Sequence, residues 1–480
     1  MARNGIALAA HFLVIIALIT IFGLTQTVAE EEGADKFTGE IERNVTLRIL
    51  ENDTAIQQGY LAELLKAFNE EYAQYGITAV DANMDQFLDL ENDGPYGYGP
   101  DVLYQANDML MKYVEGRHIQ PMPVEELECY DKIDQKAWDA YKVNIDNFDY
   151  YCGVPINIQG PLLYYRKDLL PANWKQDWDD NNNDVPDMTE NWNDMLAFSQ
   201  WRKQTENKYG YMKSLYDVYF SAGFLFTYGG YIFGNNNTDP SDIGFDGGES
   251  AKGAQVLRQL ATAMNQEAID NTITQNQYSK IASGDFFATM TTPDVHTLFD
   301  KELVLAYKAQ GMSQEEAEAA SKENLVVADI PMLPASGDLT ESNPTLMPSK
   351  MMGGVNGYAI SAYTKHPNAS LAFVDFASSH KMMKLRNELL GIVPARTDTA
   401  NEIGDLVLII NSNLVNGNIV IMPSIRAIAQ VWTPAETFFT DVAMDPFRDA
   451  GAQKYLSLDS FKEGLTKVDT QIYDAIFTLR

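Results

Sequence analysis

At 480 residues the chain is too long for one ordinary hydrophobic core, and a hydrophobic content of 45% is enough to fill two. A net charge of −32 excludes a nucleic-acid binder, which needs clustered Lys and Arg, and a protein held on anionic lipid by a basic face. Acidity of that size keeps an exported protein soluble and monomeric.

The N-terminus reads as an export signal. Arg3 gives a short positive start, residues 6–24 are apolar apart from His11 and Thr20, and Thr27-Val28-Ala29 puts small residues before the acidic Glu30-Glu31-Glu32. Cleavage is expected after Ala29, so residues 1–29 are a signal peptide and 30–43 a linker. The alternative is an uncleaved anchor, because the apolar run is just long enough to span a bilayer. No cysteine follows the run, which excludes a lipid-modified N-terminal cysteine. The two cysteines, Cys129 and Cys152, lie in the exported part, where a disulfide and two separate buried thiols are equally compatible.

Val45, Leu47 and Ile49 alternate with polar residues as a strand does. Leu61, Leu64, Leu65, Phe68 and Tyr72 then recur at helical spacing up to Gly76. Residues 77–80 and 100–104 read as further strands. Strands alternating with helices predict a parallel sheet with crossover helices, in which ligands bind beyond the carboxyl ends of the strands. Those ends are Glu51-Asn52-Asp53 and Gln105-Ala106-Asn107-Asp108. Near Val154 a strand is interrupted by Gly160-Pro161 and resumes, a candidate crossover between two bodies. Helices are predicted over 192–205, 251–265, 313–321 and 370–379, strands over 325–327 and 358–362, and a mainly helical tail from Ala400.

One loop carries a metal-ligand spacing. Counting from Asp179, positions 1, 3, 5, 7, 9 and 12 are Asp179, Asn181, Asn183, Val185 (through its carbonyl), Asp187 and Glu190. Hard oxygens in that order suit a structural calcium ion, with the last Glu able to bind through both oxygens. Position 6 is Asp184 where a glycine is usual. The other reading is a solvated acidic loop leading into the helix near Trp192. No cofactor is required by anything else in the chain.

The segments Gly99-Pro100-Asp101-Val102-Leu103, 154–171, Asp217-Val218-Tyr219-Phe220 with Gly229-Gly230-Tyr231, 353–376 and Ile421-Met422-Pro423 together resemble the extracellular solute-binding proteins for sugars, particularly maltose/maltodextrin-binding proteins. The resemblance implies an α/β, two-lobe periplasmic-binding-protein-like fold, with two discontinuous α/β domains joined by crossover hinge strands. Residues 44–157 and 325–384 are expected in the first lobe, 158–324 and 385–480 in the second. It also implies a non-enzymatic protein at the cell surface or in the periplasm that binds an oligosaccharide and passes it to the membrane permease of an ABC importer. By position, Asp53 and Asp108 match acidic hydroxyl binders, Gln159 and Asp217 fall where the family has Glu, and Tyr219 and Trp432 match stacking aromatics. Gln105 and Asp294 replace family Trp residues and Met109 an Arg, which moves the expectation from maltose to an oligosaccharide of unsettled identity. Tyr104, Tyr228 and Tyr231 are the aromatic faces left to substitute. A secreted hydrolase is the rival class, since carboxylates and aromatics also build glycosidase clefts, but no spacing nominates an acid and a nucleophile. A binder of a non-sugar solute is the third.

Overall fold

The computed structural model describes residues 37–86, 88–145, 148–266 and 272–478. The signal-peptide reading lies outside these residues. Among the described residues no helix is long and apolar enough to cross a membrane.

In chain order the strands are β1 (Thr46–Leu50), β2 (Thr78–Asp81), β3 (Val102–Ala106), β4 (Lys142–Ile145), β5 (Phe148–Tyr151), β6 (Val154–Gln159), β7 (Leu162–Arg166), β8 (Tyr209–Tyr211), β9 (Asp239–Ile243) and β10 (Phe286–Thr291). They continue with β11 (Leu325–Ala328), β12 (Leu333–Pro334), β13 (Leu346–Met347), β14 (Met351–Ile360), β15 (Val393–Pro394) and β16 (Ile419–Ile421). One sheet runs β15-β6-β14-β3-β1-β2, with β16 beside the start of β14. The other runs β11-β7-β10-β8.

Local chemistry explains the first sheet. Leu47 and Ile49 are buried on β1 while Thr46 is exposed, as a half-buried strand requires. β1 lies parallel to β2 and β3, and the helix Tyr60–Tyr72 returns the chain between β1 and β2, burying Tyr60, Leu61, Leu64 and Phe68. Gly76 closes that unit at φ +70°, and a Cβ there would meet the Asn44 side-chain oxygen at 2.3 Å. In the second sheet, β7 and β10 are buried along their whole length. Their continuous apolar runs are what a strand covered on both faces needs.

The chain passes between the two bodies three times. β6 runs into β7 through Gly160-Pro161, where a Cβ on Gly160 would approach the Ile419 side chain to 2.9 Å. β11 leads through β12 and β13 to β14, and β16 leads past Met422-Pro423 to the helix Trp432–Met444. That helix packs, with Leu458–Phe477, on the second-body helix Ala251–Thr262.

Three segments sit in the other body from the one expected. Leu325–Ala328 pairs antiparallel with β7, so β11 belongs to the second sheet. Conversely, β15 pairs with β6, and β16 pairs with β14. The helix His380–Leu390 packs on Tyr60–Tyr72, so most of 385–421 belongs with the first sheet. The reason is that partner choice between apolar strands is non-local. Cys129 and Cys152 are both free and buried, and burial raises their thiols to about 11 and about 12.

Candidate functional site

The carboxyl ends of β1 and β3, with β6 and β14, face the turn after β10 across the space between the two bodies. A gap there is lined by Asn52, Thr54, Tyr104, Asn157, Gln159 and Asn356 from the first body and Asp294 from the second. Its free volume is about 20 Å³, about the room one water needs. A sugar ring enters only if the bodies part.

Beneath the gap lies a closed ionic floor. Glu51 and Arg386 are fully buried, and the guanidinium donates to both carboxylate oxygens at 2.6 and 3.0 Å. Tyr358 donates its hydroxyl to the same carboxylate, and Arg386 donates to Tyr358 at 3.0 Å. The guanidinium lies 3.8 Å from the Tyr104 ring centroid and 4.6 Å from that of Tyr60, whose hydroxyl is raised to about 12 by burial. Tyr104 in turn donates to Asn157. The Glu51 and Arg386 charges answer each other, though the Arg386 Nε and the Tyr60 hydroxyl make no hydrogen bond. The floor is structural.

The walls differ. Asp294 Oδ1, Asn356 Oδ1, the Tyr219 hydroxyl and His296 Nδ1 are shielded from solvent and have no hydrogen-bond partner. Burial pushes the carboxyls of Asp108, Asp217 and Asp294 upward, and all three carboxylates bear electrostatically on the Tyr219 hydroxyl, which burial also raises. Asp108 comes from the first body, whereas Asp217, Tyr219 and Asp294 come from the second. Asp217 caps the helix Val218–Thr227 by accepting from the Tyr219 N–H at 3.1 Å. Beside it the buried ammonium of Lys213, also unpaired, sits 3.4 Å over the Phe220 ring and is lowered to about 8 by burial. Buried polar atoms left unpaired are costly, so the Asp294 and Asn356 oxygens, which line the gap from its two sides, mark where an outside partner is expected.

A larger cavity of about 890 Å³ opens elsewhere, between the helices Trp432–Met444 and Leu458–Phe477. Its central acid is held within the protein: Asp441 accepts from Tyr455 at 2.9 Å and from Arg448 and Lys454. None of the unpaired buried atoms lines it.

Asp108, Asp217 and Tyr219 therefore come together, and Gln159 lies nearby in the gap. Asp53 is exposed at the start of the helix Asp53–Gln57. Its neighbours Asn52 and Thr54 line the gap and it does not. Trp432 is half-buried at the first residue of its helix, where the chain re-enters the second body, and also lies outside the gap lining. The three tyrosines expected as substitute platforms are held elsewhere. Arg386 covers Tyr104, Tyr228 donates to the Pro334 carbonyl at 2.6 Å, and Tyr231 donates to Asp242 at 2.7 Å. Asn356 and Arg386 were not anticipated. The signals were an amide within an apolar run and an acid, Glu51, closing a strand.

In the acidic loop, Asp179 and Asp187 are buried. Asp179 accepts from the Asn183 and Asp184 N–H groups at 3.0 and 3.3 Å, and Asp187 from that of Asp180 at 2.9 Å. Glu190 receives the side-chain amides of Asn181 and Asn183 at 3.0 and 2.8 Å. Asp184 adopts φ +62°, the left-handed turn that position 6 demands. Among the described residues no three His, Cys, Asp or Glu side chains gather as a metal set. A cation here would depend on the two Asn side chains and the Val185 carbonyl as well.

Two α/β bodies, strand ends facing across a gap and unpaired polar groups on both sides define a two-lobe ligand-binding protein. A family model described as bacterial extracellular solute-binding protein matches residues 63–406. The chain belongs to that family. It is 25% identical over 392 residues to the maltodextrin-binding protein MdxE of Bacillus subtilis, covering 79% of this chain and 82% of that one. The galactooligosaccharide-binding protein of the same organism is 24% identical, covering 75% of each. Among solved structures, the Listeria monocytogenes maltose-binding protein MalE in complex with maltose superposes with a TM-score of 0.66 at 21% identity, over 91% of this chain and 98% of that one. MalX of Streptococcus pneumoniae in complex with maltopentaose gives 0.65 at 21% identity, over 90% and 100%.

Proposed function

We propose that the protein captures a neutral oligosaccharide of maltodextrin type between its lobes, outside the cytoplasm, and delivers it unaltered to the permease of an ABC importer. One observation carries the reading: both lobes present buried, unpaired hydrogen-bonding groups to the same gap. Sugar hydroxyls donate and accept at once and would satisfy them, drawing the lobes together. Names of relatives that specify maltodextrins and galactooligosaccharides support the ligand class. The apolar N-terminal run supports export, and the family supports hand-over to a permease. Thermal shift across an oligosaccharide panel, with product analysis of the same samples, tests this. Stabilisation by glycans without shortening is expected. Release of shorter sugars, or no response to any glycan, refutes it.

We further propose that residues 179–190 bind calcium as a structural staple of the second lobe. Two buried carboxylates, the Glu190 carboxylate facing two amides and the left-handed Asp184 support it. Titrating chelator-treated protein with calcium should release heat at one site, and Glu190→Gln should weaken it. Heat that is absent or indifferent to that substitution removes the proposal.

A further inference from the structure

Asp294 reaches across the gap from the second lobe without a counterpart to meet it. It sits in the 3-10 turn Pro293–Val295 that follows β10, and the Thr292 hydroxyl engages its carboxyl. Its Oδ1 is buried and unpaired. Opposite, in the first lobe, Asn356 Oδ1 is in the same condition. Asn356 stands where the pairing of β14 with β6 slips, between the pairs Asn356–Asn157 and Gly357–Pro155. Such an irregularity re-aims a side chain. The Asn356 amide also lies beside the Tyr104 hydroxyl, which leaves its oxygen as the free end. The two oxygens line one gap, so acceptors from both lobes converge.

Among the described residues that line the gap Arg386 is the one cation, and neither the Asp294 nor the Asn356 oxygen takes a hydrogen bond from it. Arg386 is committed to Glu51, and Lys213 lies beside Asp217 over Phe220. Nor is a stacking face on offer, because Arg386 already covers Tyr104. Unpaired acceptors in such a space call for a donor from the ligand. We propose that Asp294 is a specificity-determining residue. With Asn356 it takes the hydroxyl-bearing edge of one sugar unit, so this end of the cleft reads hydroxyl position rather than ring shape. This deepens the oligosaccharide reading and rests on it.

The test is isothermal titration of maltotriose and its singly deoxygenated derivatives into wild type, Asp294→Ala and Asp294→Asn, with melting curves of each unliganded protein. Asp294→Ala should bind maltotriose about tenfold or more weakly than wild type, and Asp294→Asn more weakly than wild type by a smaller factor, since an amide still accepts one bond. One deoxygenated derivative should bind wild type and Asp294→Ala alike, identifying the hydroxyl being read. Unchanged maltotriose affinity in both variants overturns the assignment, as does a loss that every derivative shares. If Asp294→Ala fails to fold, the near-isosteric Asn variant decides by the same criterion. Wild type that binds no maltotriose refutes the proposed ligand class together with this inference, whereas wild type that binds while the variants are indifferent refutes only the role of Asp294.

Discussion

Two cavities of this molecule differ in the direction opposite to their size. The groove between the helices Trp432–Met444 and Leu458–Phe477 has about 890 Å³ and is lined by none of the buried unpaired atoms of the described residues, while the strand-end gap has about 20 Å³ and is lined by Asp294 and Asn356, whose side-chain oxygens are buried and unpaired. Volume measures where something fits. Unpaired buried atoms measure where something is missing, and that criterion selects the gap.

The comparison can be broken most forcefully at the floor of the gap. Arg386→Met strands Glu51 in a dry interior and should cost about 3–5 kcal/mol of folding stability, read by urea denaturation. Replacing both partners with apolar residues should cost less than the single change. A single-variant loss below about 1 kcal/mol would mean that the floor is dispensable.

Next comes Trp432, beside the groove in sequence but assigned to the ligand by resemblance. If its face covers a sugar ring, Trp432→Ala should lose about 1–3 kcal/mol of binding free energy with little change in melting temperature. Unaltered affinity would place it with the groove. Within the groove, Asp441→Ala should show the converse. Leaving Tyr455 without its acceptor and Arg448 with Asp445 alone should cost about 1–2 kcal/mol of stability and leave ligand affinity unmoved, as titration and denaturation on the same variant would reveal.

The smallest effect is on pH dependence. Asp469 accepts the Phe245 and Asp246 N–H groups at 3.0 Å each, and burial, with the Asp246 charge working in the same direction, raises its carboxyl to about 7. The folded form thus holds a proton that the unfolded form has released above about pH 4. Stability from this site falls as pH rises through that window towards 7. Asp246→Asn should flatten the decline, measured as the difference in melting temperature between pH 4.5 and pH 7.5. A slope equal to that of wild type would acquit the pair.

What the sequence disclosed follows the range of the forces involved. β1, the helix Tyr60–Tyr72 and the helix Trp192–Thr205 were legible because their burial pattern repeats within a few residues. β14 was read only near 358–362, because Met351-Met352-Gly353-Gly354 neither alternates nor favours a strand by composition. The lobe membership of β11, β15 and β16 was misjudged for a related reason: short apolar segments carry no label for their partner. Of the site residues, Gln159 in the gap and Asp108, Asp217 and Tyr219 beyond its lining came from the resemblance. Asn356 escaped because a slipped register, which aims it, leaves no trace in one chain. Asp294 was noticed as a lost aromatic, and only its placement opposite Asn356 shows what took the place of that face.

The threefold passage of the chain between the lobes has a consequence for biosynthesis. The first sheet needs β14 at its centre and β15 and β16 beside it, so it cannot close until more than 400 residues have been made. The second lobe waits longer still, for the helix Leu458–Phe477. Neither half can complete its core during most of synthesis, and the nascent chain stays unfolded late. If the chain crosses a membrane before it folds, as the proposed export implies, such interleaving delays the cytoplasmic folding that would block its passage.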